Sequence, residues 1–266
     1  MVNKRKTSVA GDPRQPTSGR GDVAGPARRY LALALDVGDG DTARSLARRL
    51  RPWFGVVKVG LELFSAAGSS VVPALVDDGF DVFLDVKLHD IPTTVGRAAS
   101  VLGRLGASYV TVHLSGGEAM VRAAVEGLAA GAGAEATPMV LGVTVLTSDA
   151  QADPERVARR VGTAVAAGCG GVVCSGSDLH VVRRTGPGLL AVVPGIRLAG
   201  APTDDQARVT TPAQALAAGA GMLVVGRTVT AAADPEAAAA AVHHDLAGPD
   251  AEPSPATAAV DPSRVV

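Results

Sequence analysis

From Tyr30 to Leu246 the chain alternates eight times between a short Val/Leu/Ala-rich run and a longer stretch with helical spacing. The apolar runs are Tyr30–Val37, Val56–Gly60, Val82–Lys87, Tyr109–Leu114, Met139–Val145, Gly171–Ser175, Leu190–Val193 and Met222–Val225. Runs of this length read as strands, and near-continuous hydrophobicity is what a parallel sheet covered on both faces requires. Strands alternating with helices form right-handed βαβ units, and eight such units close as a (β/α)8 barrel. The competing fold, an open doubly wound sheet, calls for a glycine-rich dinucleotide turn after the first strand. Asp36-Val37-Gly38-Asp39-Gly40 lacks the third glycine at the required spacing. The reading is a single α/β domain, a TIM barrel over residues 30–247.

Helix boundaries follow from local chemistry. Asp41 or Thr42 is available to cap a helix over Thr42–Leu50, and Gly79 ends the helix before the third strand. Thr94–Leu105 stops at Gly106, while Asp153-Pro154, Thr211-Pro212 and Asp234-Pro235 each place a capping oxygen before a first-turn proline.

Outside the barrel the composition changes. Residues 1–29 are rich in Pro, Gly, Ser and Arg, with seven Lys/Arg against Asp12 and Asp22. Such a segment buries too little surface to offset its ordering entropy, so it reads as a disordered basic tail, as do residues 248–266 at the other end. With the tails set aside, residues 30–247 carry a charge of −4 within a chain of net charge −1, which makes no case for nucleic-acid binding. Cys169 and Cys174 lack metal-ligand spacing and read as buried free thiols of a reducing cytoplasm. No apolar run approaches the roughly 18 residues of a membrane span, and no signal-peptide core follows the basic start. The expected setting is cytoplasmic.

The third strand ends in Asp85-Val86-Lys87-Leu88-His89-Asp90-Ile91-Pro92-Thr93-Thr94. Side chains alternate along a strand, so Phe83, Asp85 and Lys87 share one face, while Val82, Leu84 and Val86 share the other. A neighbouring Asp and Lys usually form a solvated surface pair worth under about 1 kcal/mol. Here the opposite face is wholly apolar, and charges tolerated in such a setting mark functional sites. Polar residues also gather at the predicted C-terminal strand ends, where barrels of this kind carry their active sites: Asp36, Lys58, Asp85, Lys87, His113, Thr147 and Arg227. His113 has no assigned chemical step and reads as a hydrogen-bonded core histidine. After the seventh and eighth strands, Pro194-Gly195-Ile196-Arg197 and Val225-Gly226-Arg227 combine a close-approach glycine with a guanidinium, a combination suited to phosphate.

Asp85-x-Lys87-x-x-Asp90-Ile91-Pro92-x-Thr94 resembles the signature of the orotidine 5'-phosphate decarboxylase family in its bacterial branch. The other motifs also agree: Val57-Lys58-Val59-Gly60 before it, and Val112-His113, Thr147-Ser148, Asp205-Gln206 and the two glycine-arginine loops after it. The resemblance covers roughly residues 30–240. It implies removal of CO2 from orotidine 5'-monophosphate to give UMP, the last step of de novo pyrimidine biosynthesis, with no metal and no organic cofactor. Lys87 would act as the general acid beside Asp85, with Lys58 and Asp36 completing a charged network around the ribose. Asp90, Ile91 and Thr94 would reach into the neighbouring subunit of a homodimer. Thr147 would lie near the pyrimidine and Gln206 would bridge base and phosphate, with Arg197, Gly226 and Arg227 at the phosphate.

Two alternatives stand beside this reading. One is a metal-dependent sugar-phosphate aldolase or decarboxylase on the same scaffold, for which Glu62 is the candidate acidic ligand. The other is a catalytically silent nucleotide- or phosphate-binding protein.

Overall fold

In the computed structural model, which describes residues 26–134, 136–146, 149, 153–198 and 210–247, eight parallel strands pair in chain order and the last returns to the first. They are Leu31–Ala34 (β1), Val56–Gly60 (β2), Asp81–Leu88 (β3), Tyr109–His113 (β4), Met139–Val143 (β5), Gly171–Val173 (β6), Leu190–Val193 (β7) and Met222–Val225 (β8). The barrel closes through the register Ala32↔Val224 between β1 and β8. Outside it lie Gly40–Arg49 (α1), Leu61–Ala67 (α2), Val71–Asp77 (α3), Pro92–Arg104 (α4), Glu118–Ala132 (α5), Pro154–Ala167 (α6), Leu179–Thr185 (α7), Pro212–Ala217 (α8), Arg227–Thr230 (α9) and Pro235–Ala247 (α10). The (β/α)8 architecture read from the alternation is the one observed. No helix among the described residues is long and apolar enough to cross a membrane.

Strand alternation divides the core in two. Leu31, Leu33, Val57, Val59, Val82 and Leu84 face outward and pack with the helices. The inward positions, including Ala32, Ala34, Val56, Phe83, Tyr109 and Met222, form a separate cluster inside the barrel. Small β1 residues leave room for the two rings of β3 and β4, which meet edge-to-face with centroids 6.3 Å apart.

Several boundaries differ from the sequence reading. β1 stops at Ala34, so Asp36 stands beyond it rather than within it. The cap of α1 is Asp39, whose side chain accepts from the Thr42 N–H, in place of Asp41 or Thr42. The segment before β3 is two short helices, parted at Gly68, where φ is +67°. Pro26–Tyr30 form a 3-10 helix against the barrel, although the composition of residues 26–29 predicts tail. The Arg28 carbonyl accepts from Gly55 N–H at 3.0 Å. The tail readings for residues 1–25 and 248–266 lie outside the described residues.

Candidate active site

β3 carries the charged centre, and it does so with an irregular backbone. Leu84 pairs with Val110 and Leu88 with Val112, so three residues of β3 stand opposite Thr111 alone. Lys87 absorbs the excess with φ of +50°, the only left-handed non-glycine residue among those described. A side chain in that region crowds the next carbonyl and costs roughly 1–2 kcal/mol. The alternation still holds, because Val86 and Leu88 pack on the outer core while Asp85 and Lys87 turn inward. The Lys87 ammonium donates to Asp85 Oδ2 at 2.8 Å.

A second pair crosses the neighbouring strands. Lys58 Nζ donates to Asp36 Oδ1 at 2.9 Å, tying a residue two positions past β1 to the middle of β2. Gly60 makes this possible, since a Cβ there would lie 3.0 Å from both Asp36 Oδ1 and Lys58 Nζ. Both pairs line one cavity of about 550 Å3 at the C-terminal ends of the strands, whose floor includes Ala34, Phe83 and Val224.

The guanidinium side of the cavity comes from the far wall. β7 is four strands from β3 in the closed order, and Arg197 follows it; Gly226 and Arg227 follow β8. All three line the same cavity. Arg197 is buried, and its Nη1 donates to the Ile196 carbonyl and to Thr228 Oγ1 at 3.1 and 3.2 Å. Thr228 in turn donates to the Ile196 carbonyl, which fixes the loop carrying the charge. The cavity thus presents the Asp85–Lys87 pair at the end of β3 and, from β7 and β8 across the barrel, guanidinium groups, while Asp36 follows β1, the strand paired with β8.

Not every candidate lies there. Asp90, Ile91 and Thr94 are exposed on the loop and first turn after β3 and do not line the cavity. Asp90 Oδ1 accepts the Ile91 N–H, and Ile91 caps α4 with extended backbone. His113 opens onto a second cavity of about 310 Å3 beside Arg156 and Arg160. Its ring centroid is 5.4 Å from that of His89. Burial, and then the charges of His89 and Lys87, hold its imidazole below the ordinary pKa. Thr147 and Gln206 lie outside the described residues. Among those described, no group of three or more His, Cys, Asp or Glu side chains is placed to hold a metal ion.

Residues 29–242 match the model of the orotidine 5'-phosphate decarboxylase / HUMPS family. The chain belongs to that family. It is 50% identical over 231 residues to orotidine 5'-phosphate decarboxylase of Nitratidesulfovibrio vulgaris, covering 82% of this chain and 97% of the relative. The enzyme of the same name from Anaeromyxobacter sp. strain K is 50% identical over 228 residues, with the same shares covered. The fold is similar to the crystal structure of orotidine 5'-phosphate decarboxylase from Lactobacillus acidophilus, with a TM-score of 0.70, 35% identity and 82% and 99% of the two chains covered. For the Pyrococcus horikoshii structure of that name the TM-score is 0.68 at 25% identity, again with 82% and 99% covered.

From the sequence, Thr111 and Thr228 carry no assigned role at this site, and Gly60 enters only as the end of the Val57–Gly60 motif. Thr111 left a signal, being a hydroxyl between Tyr109 and His113 on the inward face of β4, where a buried polar group must find partners. The steric reason for Gly60 and the bonds of Thr228 are not legible in the sequence, because their neighbours come from other segments of the chain.

Proposed function

We propose that this protein is a carboxy-lyase that converts orotidine 5'-monophosphate to UMP and CO2, with Lys87 as the proton donor. The observation that carries this reading is the Lys87–Asp85 pair in a cavity whose opposite wall holds Arg197 and Arg227. The substrate has matching poles, a carboxylated pyrimidine and a phosphate. As the C6–carboxylate bond breaks, its electron pair stays on C6 and CO2 departs. The Lys87 ammonium stabilises that developing charge and gives C6 its proton, and water later restores the proton to the amine. Asp85 lies against the leaving carboxylate and holds the ammonium. Lys58 and Asp36 extend the charged network to the ribose. Phosphate binding by Arg197, Arg227 and the Gly226 backbone orients the ring over Lys87, so remote binding energy supports the chemistry.

The working unit in this reading is a homodimer. Asp90, Ile91 and Thr94 are exposed beside the strand ends, and Ile91 leaves an apolar side chain 65% exposed. Each protomer would lend these residues to its neighbour's site. Thr147 would contact the pyrimidine and Gln206 would link base and phosphate.

The test is purified full-length protein with orotidine 5'-monophosphate, followed by ultraviolet absorbance with and without EDTA, beside Lys87→Ala. The expected result is EDTA-insensitive conversion that the lysine variant loses. Loss of activity in EDTA would favour the metal-dependent sugar-phosphate reading, whose acidic candidate Glu62 lines the same cavity. Tight UMP binding without turnover by folded wild-type protein would favour a binding role.

A further inference from the structure

We propose that the Thr111 hydroxyl is a positioning group for Lys87 and Asp85: it holds the lysine backbone in its left-handed turn and fixes the rotation of the carboxylate. The inference rests on the reading of Lys87 as the proton donor. Thr111 is fully buried on the inward face of β4, between Tyr109 and His113, and does not itself line the cavity. Its hydroxyl has one proton and two lone pairs. The proton goes to Asp85 Oδ1 at 2.9 Å, and a lone pair accepts the Lys87 N–H at 2.8 Å.

These two bonds explain how an unfavourable backbone persists. Where β3 and β4 slip out of register, the Lys87 N–H meets a side chain instead of a ladder carbonyl. The left-handed turn points that N–H at Thr111. Asp85 is then held from two directions, by Thr111 on Oδ1 and by the Lys87 ammonium on Oδ2. One hydroxyl therefore ties the main chain of Lys87 to the carboxylate that its side chain touches. Valine has the same shape as threonine without the hydroxyl. It would leave the Lys87 N–H and Asp85 Oδ1 without this partner, and both would relax toward other contacts. Because Thr111 acts through Asp85 and Lys87 and touches no substrate, its loss changes the chemical step more than binding.

The experiment compares steady-state kinetics of wild type, T111V and T111S on orotidine 5'-monophosphate, with a crystal structure of T111V. T111V is expected to lower kcat about 10- to 100-fold, the range set by losing a hydrogen bond to a charged group, with KM changed less than about twofold. T111S is expected to recover most of the rate. The T111V structure is expected to show Lys87 out of the left-handed region or Asp85 rotated. A T111V rate within about twofold of wild type, a T111S rate as low as that of T111V, or unchanged Lys87 and Asp85 geometry would overturn the proposal. If T111V does not fold, T111A against T111S makes the same comparison of hydroxyl present or absent. A wild-type protein that turns over no substrate, with the geometry disturbed in T111V, would remove the functional reading and leave the role of Thr111 standing.

Discussion

Lys58 reaches from β2 to the Asp36 carboxylate at 2.9 Å, and the space for that pair exists because residue 60 has no side chain. The Gly60 backbone at φ −87° is open to any residue, so the requirement is steric clearance and not conformational freedom. Gly60→Ala is expected to push the Lys58 ammonium and the Asp36 carboxylate apart. The fold should tolerate it, since the ends of flexible side chains can yield. The expected result is a loss of roughly 10-fold or more in kcat/KM with a melting temperature near that of wild type. A variant with wild-type kinetics would show that the pair does not need its observed spacing.

Arg227 offers a cleaner separation of binding from chemistry. Arg227→Ala is expected to lower kcat/KM for orotidine 5'-monophosphate by about 10- to 100-fold, as expected for one charge-assisted contact to phosphate. Turnover of orotidine, which has no phosphate, should change little. An equal loss on both substrates would move the phosphate away from this side of the cavity.

The helix that begins with the Pro92-Thr93-Thr94 turn is held by unusually close packing. A Cβ on Gly127 or Gly131 of α5 would overlap the carbonyl oxygen of Gly96 or Ser100 on α4, and one on Gly103 would overlap Leu128. The obstacles are backbone atoms, so the helices must separate. Gly131→Ala is expected to lower stability by about 1–3 kcal/mol, the usual range for overpacking, despite the better helix propensity of alanine. Chemical denaturation would measure it; a stabilised variant would contradict the close approach of α4 and α5.

Acid stability should depend on Asp78. Hydrogen bonds from Arg44 at 2.8 and 3.0 Å, and then from Arg48 at 2.6 Å, hold its carboxyl at about 2, against the opposing effect of burial. A depressed carboxylate pKa adds stability that is complete above the unfolded value near 4 and is lost as pH falls towards 2. Asp78→Asn is expected to be less stable at neutral pH by about 1 kcal/mol and to show a flatter stability profile between pH 4 and 2. An unchanged acid limb would mean that other groups govern unfolding there.

The fold was legible because its signals are local. β2, β7 and β8 are short, mostly Val/Leu/Ala runs, and they begin and end where the sequence places them. The shared face of Asp85 and Lys87 also follows from strand alternation, which survives the irregular backbone. The less faithful boundaries were those set by neighbours. Pro26–Tyr30 is polar enough to read as tail, yet an Arg28 carbonyl bonded to Gly55 ties it to the barrel.

By itself the sequence determined the eight-unit barrel, the strand that carries the charged pair, and the glycine-arginine loops at the other end of the cavity. Only the tertiary structure decided how those groups meet. Lys87 enters the left-handed region because β4 is out of register with β3, and Thr111 receives its N–H from across that gap. Gly60 matters because two side chains from different strands converge on it. Such relations join residues distant in sequence through the curvature of a closed sheet, whereas propensity and periodicity record only what each segment does alone.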